Sequence, residues 1–369
     1  MCKHCVALLS GRVRGGVPAV SAPLSAHPSP AQTNTPPEGK KPPEHLRRII
    51  GEPPGPIVAL LTRGVWALLT ALSPGARDAL ARFVGNLAYT LGIRRKVALD
   101  NLAHAMPEKS EAERHAIARG AYITMARVVV ESLPSGDRMT KDWDQQGIEG
   151  EEAWAALKAH VATGKGVMLV TAHFGNWELV GQMLIRLGVP LNALVRPLKG
   201  ALNTRIAENR LGAGAGLIYP KGAIQEITDA VHRGESAFML LDQALPAKAA
   251  VFVPFFGRLA STTPAMAVAA ERTGAPVFVV VGVRPPGPGA RFRLEVEGPI
   301  PAPAPGAFAD PITEHTARVT AALERAIRRH PEQWLWLHRR WKVQPPAALV
   351  TAASPGLTQG PVAEPARRD

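Results

Sequence analysis

The sequence predicts an α/β fold: a mainly parallel or mixed sheet flanked by helices, preceded by an N-terminal helical membrane-associating region. Three features carry that expectation. From Gly166 onward, short β-rich runs alternate with helical stretches of about 10–15 residues, the pattern of βαβ units. Residues 76–133 read as helical. Ahead of them, the stretch between Pro56 and Pro74 is apolar and interrupted only by Arg63, with Trp66 inside it and basic residues on both sides at Arg47, Arg48, Arg94, Arg95 and Lys96. That stretch is borderline for a crossing, which needs about 20 apolar residues, and suits a helix lying in the membrane interface.

Taken in order, residues 1–55 hold ten prolines and no periodic apolar pattern, so they read as a disordered leader. Val6 to Leu9 is too short an apolar core for a signal peptide. Cys2 and Cys5 form a CxxC with only His4 nearby, and without a second ligand pair it reads as incidental. Residues 56–75 are the membrane-associating helix, with a buried amphipathic core helix as the plainer alternative. Residues 76–342 form the main domain. Within it, Ser110-Glu-Ala-Glu113 is a capping box opening a helix to about Ser132. Strands are expected at Val167–Thr171, Asn192–Arg196, Leu217–Tyr219, Ala237–Leu241, Val251–Phe256, Val277–Val283 and Phe292–Val296. Helices are expected from Asn176 to Leu187, to Leu211, to His232, from Thr263 to Thr273 and from Thr313 to Arg329. Residues 343–369, with five prolines, read as a disordered tail.

The chain has 369 residues, of which 46% are apolar, enough for a sizeable core. Two cysteines exclude a disulfide scaffold, and the absence of an uninterrupted apolar run of about 18–20 residues excludes a polytopic membrane protein. The net charge of +13 suits nucleic acid, anionic lipid headgroups or an acidic carrier protein alike. The cations are spread, aromatics are only 5%, and no nucleic-acid module accompanies them, so nucleic acid is not expected as a partner.

Several familiar patterns fail on context. Gly212-Ala-Gly214-Ala-Gly216 precedes a strand instead of following one, so it reads as a turn and not a dinucleotide cradle. Gly164-Lys165 lacks the rest of a P-loop, and there is no GxSxG elbow or HExxH helix. Thr171-Ala-His173-Phe-Gly175-Asn-Trp-Glu178 stands apart, because it lies where the first strand of the α/β region gives way to its first helix. Ligands of open α/β sheets bind at the carboxyl ends of strands. On one continuous helix His173 and Glu178 would stand roughly 140° apart, but a turn at Phe174-Gly175 frees His173 from that register and lets the two converge. A histidine held by a carboxylate has one tautomer fixed and its other ring nitrogen ready to take a proton, a general base for activating a hydroxyl. No Ser or Cys nucleophile accompanies it, which favours direct transfer to the acceptor's hydroxyl. A histidine that merely caps the helix is the plainer alternative.

The setting HFGNWE around His173 and Glu178 resembles the H-x4-D/E signature of glycerolipid acyltransferases. In full it is similar to the late acyltransferases of lipid A biosynthesis, the lauroyl/myristoyl transferase group. Other ordered segments share the resemblance: Asn101-Leu102 with Met106-Pro107-Glu108; Arg196-Pro197, Asn203 and Arg210; Leu241-Asp242-Gln243; Phe255-Phe256-Gly257 with Ala260 and Thr262; and Pro331-Glu-Gln-Trp334-Leu-Trp336-Leu-His338-Arg-Arg340-Trp341. It spans about residues 57–342, and the long leader is its main departure.

The resemblance implies transfer of a fatty acyl group from acyl carrier protein to a hydroxyl of a lipid A precursor, at the cytoplasmic face of the inner membrane, with no metal or organic cofactor. His173 would be the general base and Glu178 its orienting partner. Arg196 would bind acceptor phosphate or stabilise the oxyanion, Asn203 and Arg210 would position substrate, and Asp242 would organise the site. For Arg196 and Arg210 a surface cation, and for Asp242 a turn cap, are equal alternatives. The Phe255-Phe256 and Trp334-Trp336 regions are candidates to line an acyl groove, with a core role the plainer expectation. A lysophospholipid, another glycolipid or an aminolipid as acceptor, a hydrolase, and a basic membrane-surface adaptor remain alternatives.

Overall fold

The computed structural model describes residues 55–132, 147–196, 201–285, 292–347 and 349. The CxxC and most of the leader and tail lie outside them, as does Pro197. Four helices come first: α1 (Pro56–Ala71), α2 (Pro74–Thr90), α3 (Arg95–Ala105) and α4 (Glu111–Ser132). The α/β region follows, with β1 (Ile148–Glu149), α5 (Glu151–Ala162), β2 (Met168–Thr171), α6 (Trp177–Arg186), β3 (Leu191–Leu194), α7 (Ala201–Gly212), β4 (Gly216–Ile218), α8 (Ala223–His232) and β5 (Ser236–Leu240). It closes with β6 (Val251–Phe255), β7 (Arg258–Thr262), α9 (Ala265–Thr273), β8 (Val277–Val283), β9 (Arg293–Ile300), α10 (Pro311–Arg329) and a 3-10 turn at Pro331–Gln333.

The strands form one seven-stranded sheet of order β1-β9-β8-β2-β5-β3-β4. All its pairings are parallel except β8 with β9. The expected mainly parallel, helix-flanked sheet is therefore the one formed. Alternate residues of each strand serve opposite faces. Met168 and Val170 join Val277, Val279 and Val281 in a core under α3, α4, α8, α9 and α10. Leu169 joins Phe278 and Val280 in a second core under α5, α6 and α7. Burial on both faces explains why β8 reads Val-Phe-Val-Val-Val-Gly-Val without alternation.

The capping box forms as expected: Ser110 Oγ accepts from Glu113 N–H and Glu113 Oε2 accepts from Ser110 N–H. The Gly212–Gly216 segment is a turn leading into β4. Strand β1 and two further features went unread in the sequence. Helix α5 occupies a stretch with no assigned element. The Phe-Phe-Gly-Arg block is a tight hairpin, β6 pairing antiparallel with β7, with Phe256 and Gly257 at φ 51° and 71° in its turn. Positive φ at both central residues is the twist a two-residue hairpin requires.

Helix α1 covers 16 residues, about 24 Å at 1.5 Å per residue, and none of the described helices is long and apolar enough to cross a membrane. Its carboxyl half packs on the domain: Trp66 and Leu69 meet Leu80, Ala81, Ala126 and Val130. The Arg205 guanidinium lies 5.0 Å from the Trp66 ring, tying α1 to α7. The rest of α1 is uncovered, with Ile57 74% and Leu60 72% exposed. The outer face of α2 continues the pattern at Phe83 and Leu87, and the turn after it at Leu91 and Ile93. Among the described residues, nearly every exposed large apolar side chain lies on these N-terminal helices.

Candidate active site

β2 and β5 are adjacent and parallel, with Thr171 opposite Leu240. Two residues past the end of each strand stand His173 and Asp242, so the register itself brings them face to face at the carboxyl edge of the sheet. The Asp242 carboxylate is 3% exposed and takes three donors. His173 Nδ1–H donates to Oδ1 at 2.8 Å, the His173 backbone N–H to Oδ2 at 2.9 Å, and Trp334 Nε1–H to Oδ2 at 2.8 Å. Burial pushes the carboxyl up, but the His173 charge and these hydrogen bonds outweigh it and hold Asp242 at about 2. The imidazole is thereby fixed with its proton on Nδ1. Its Nε2 lone pair faces outward, where the Gln243 amide nitrogen lies 3.1 Å away. Trp177 packs edge-on against the ring, centroids 4.8 Å apart.

The expectation that Glu178 orients His173 is not met. Glu178 lies in the first turn of α6 and grips Arg210 of α7 instead, Nε to Oε2 at 2.8 Å and Nη2 to Oε1 at 2.5 Å, while Trp177 Nε1–H donates to Oε1 at 3.0 Å. The reason is geometric. With Asn176 as N-cap, α6 begins at Trp177, and its register turns Glu178 toward α7 while His173 stays on the strand side of the turn. A bidentate guanidinium–carboxylate pair has strong geometric preference. Although burial pulls Arg210 down, Glu178 more than offsets it and raises the guanidinium above its ordinary value.

Arg196 lies just beyond β3 at the same sheet edge, exposed, and two strands from His173 in the order β2-β5-β3. Asn203 is buried in the first turns of α7. The structure therefore joins His173 with Asp242 and Glu178 with Arg210, and joins neither Arg196 nor Asn203 to the imidazole.

The turn between strand and helix is held from behind. Gly175 has φ 52°, and a Cβ there would stand 1.9 Å from the Gly282 carbonyl oxygen, so only glycine fits. Gly175 N–H donates to Gln333 O, and Leu335 N–H to His173 O. The carboxyl-terminal segment is thus a strap behind the site. It is secured by Asn101 Nδ2, which donates to the Trp336 and His338 carbonyls, and by His338 Nε2, which accepts from Ala244 N–H. The aromatic residues considered for an acyl groove belong to this packing. Phe255, Phe256, Trp334 and Trp336 are at most 3% exposed, and ring centroids of neighbours lie 4.6–6.2 Å apart. A small open pocket lies elsewhere, with a cavity volume of about 30 Å³, lined by Trp177, Glu178, Gly181, Ile185, Arg210 and Phe238 among others.

The profile of bacterial lipid A biosynthesis acyltransferases matches residues 54–343. The chain belongs to that family. It is 27% identical over 258 residues to the lipid A biosynthesis palmitoleoyltransferase of Escherichia coli (strain K12), covering 68% of this chain and 80% of the relative. It is also 27% identical over 269 residues to the lipid A biosynthesis lauroyltransferase of the same strain, covering 71% and 84%. A lipid A biosynthesis acyltransferase of Haemophilus influenzae is 24% identical over 290 residues, covering 74% and 86%. The chain is thus an acyltransferase of lipid A biosynthesis with a lipid acceptor.

Proposed function

We propose that this acyltransferase moves a fatty acyl chain from acyl carrier protein to a hydroxyl of a lipid A precursor, with His173 as general base and Asp242 as its orienting carboxylate. The observation that carries the reading is the buried, triply hydrogen-bonded Asp242 holding the His173 proton on Nδ1. The acceptor hydroxyl replaces Gln243 at Nε2 and gives up its proton there. Its oxygen attacks the thioester carbonyl, and a C–O bond forms. The tetrahedral intermediate expels the carrier's thiolate, the C–S bond breaks, and the imidazolium returns its proton to the departing sulfur. Anionic Asp242 balances the charge that the ring carries in between.

Glu178 has a different task in this reading. It holds the Arg210 guanidinium beside the open pocket, where Arg210 positions the polar end of the substrate and the acyl chain lies against Phe238 and Ile185. Arg196, exposed at the same sheet edge, is suited to a phosphate of the acceptor, and Asn203, in the first turns of α7, to positioning substrate. No metal or organic cofactor enters the chemistry.

The enzyme works at the cytoplasmic face of the inner membrane, docked by the uncovered apolar faces of α1 and α2 with Arg63 and Arg94 toward anionic headgroups. Through Trp66, on its packed side, and Arg205, helix α1 adjoins α7, the helix that carries Arg210. The test supplies labelled acyl-ACP and a tetra-acylated lipid A precursor to membranes bearing wild type or His173→Ala, and follows product by mass. Product from wild type alone supports transfer and the base together. Equal product from both removes His173 from the chemistry. Product from neither, with folded membrane-bound protein, refutes this donor and acceptor, and lysophospholipid acceptors are screened next.

A further inference from the structure

Behind the turn that presents His173 lies a buried polar network with no counterpart in the chemistry above. The carboxyl end of α4 supplies Glu131, 5% exposed, and Ser132, 7% exposed. Asn176, 2% exposed, is the N-cap of α6, its Oδ1 accepting from Leu179 N–H at 3.3 Å. The same Oδ1 accepts from Ser132 Oγ at 3.1 Å, and Asn176 Nδ2 donates to Glu131 Oε2 at 3.1 Å. The other oxygen of Glu131 takes the Arg284 guanidinium, just past β8. Arg284 also binds Gln333 through its backbone: its N–H donates to Gln333 Oε1 at 2.9 Å, and its C=O accepts from Gln333 Nε2 at 3.0 Å. Gln333 O in turn receives the Gly175 N–H at 2.9 Å. Two routes therefore leave Arg284 and end on consecutive residues, Asn176 and Gly175, directly after the His173-Phe174 pair.

We propose that Glu131 and Arg284 are positioning residues for the acyl transfer, acting through Asn176 and Gln333 to fix the turn that aims His173 Nε2 at the acceptor hydroxyl. A buried ion pair is weak support for stability, since its desolvation cost offsets much of its attraction. Its worth here is directional. An N-cap needs only one oxygen, and a serine would provide it. The asparagine amide adds a second hold, reaching across to a helix of the N-terminal layer. That hold couples the turn to α4, which packs beneath α1 and α2, so the membrane-facing layer and the base share one rigid connection. The inference rests on the reading of His173 as base.

The test measures kcat and KM for acyl transfer, with thermal melting, on the full chain in detergent or membranes. Asn176→Ser keeps the capping oxygen and removes the amide that reaches Glu131. It is expected to melt within a few degrees of wild type and to lose about 10–100-fold in kcat, the cost of a small misplacement of a catalytic group, with KM changed less than about threefold. Glu131→Gln and Arg284→Gln each break the buried ion pair from one side, so each is expected to lose both stability and kcat. The double variant removes both charges together and is expected to recover about tenfold in kcat over the weaker single variant. An Asn176→Ser enzyme with kcat within about twofold of wild type, or a double variant no better than either single one, overturns the proposal. His173→Ala is run alongside. If it retains activity, the base assignment falls and this inference falls with it. If it is inactive while Asn176→Ser is normal, only the positioning role is lost.

Discussion

Replacing Asp242 with Asn tests the site most directly, because it changes one atom of a fully enclosed group. Asp242 presents two acceptors to three donors. An asparagine oxygen placed at the Oδ2 position still serves the His173 backbone N–H and the Trp334 indole. The amide NH₂ then faces His173 Nδ1, donor against donor. The imidazole relieves this by moving its proton to Nε2, which removes the lone pair the acceptor hydroxyl needs. The same exchange in a Ser-His-Asp triad costs about 10⁴ in kcat, so a loss of about 10³–10⁴-fold is expected here. Stability changes too. Asp242 is held at about 2 against an ordinary 3.8, worth about 2 kcal/mol at pH 7. A depressed carboxyl contributes above its unfolded pKa and loses that contribution as pH falls through its folded one. The melting difference between wild type and Asp242→Asn should therefore be full at neutral pH and shrink between about pH 4 and 2. Steady-state transfer of labelled acyl chains to a tetra-acylated acceptor, with melting followed across pH, provides both readouts. A folded Asp242→Asn enzyme within about tenfold of wild type would refute the tautomer reasoning.

Three further outcomes follow from the geometry. Gly175→Ala places a methyl 1.9 Å from the Gly282 carbonyl in a left-handed conformation, so soluble yield or activity should collapse, whereas Gly181→Ala, whose Cβ meets Phe238 at an ordinary 3.6 Å, should fold and be purified normally. Arg210→Lys keeps the charge but cannot make the two-pronged contact with Glu178, and should lower kcat/KM by about 10–100-fold in the transfer assay. Burial pushes His338 down to about 4, Asp242 drawing it up and Lys342 and Arg340 opposing that. The unfolded chain therefore binds a proton first, and stability should fall by about 1–2 kcal/mol as pH drops from about 6.5 to about 4, a figure discounted for partial solvent access. His338→Gln, whose oxygen can still accept from Ala244 N–H, should flatten the melting curve against pH over that window.

The architecture was legible because its signals are local. Helix α4 announced itself through its capping box, and β8 through an unbroken apolar run between turn residues. The strand-to-helix setting of His173 was equally plain. Its partner was not, because partnership depends on strand order. Asp242 is 69 residues away in sequence, and only the adjacency of β2 and β5 brings it to the imidazole. One clue was available: both residues stand at the carboxyl ends of apolar strands, the edge where sites form. Glu178 was nearer in sequence, but the start of α6 at Trp177 decides where it points. Glu131 and Arg284 carried no sequence signal at all, since an isolated charge gives no hint that it will be buried. Of the two roles weighed for Phe255 and Trp334, the favoured one, core packing, is what the structure shows. Aromatic residues signal burial, and composition alone does not separate a core from a cleft.

The two acidic residues of the site differ in what surrounds them, and that difference assigns their work. Asp242 is enclosed by donors from three places: the imidazole, the backbone beside it and an indole on the strap. Such a group is pre-oriented, stays ionised, and acts on a partner whose charge changes during the reaction. Glu178 meets a guanidinium whose charge never changes, beside an open pocket that Ile185 and Phe238 also line. A carboxylate on a permanent cation cannot tune a proton transfer, but it can fix the direction in which that cation points. In the proposed mechanism the H-x4-E spacing then serves two neighbouring functions rather than one dyad. There the histidine, held by Asp242, takes the proton, and the glutamate, paired with Arg210, serves substrate placement. Gly175 and Asn176 lie between them in sequence, at the turn where the backbone leaves the strand and the α6 register begins.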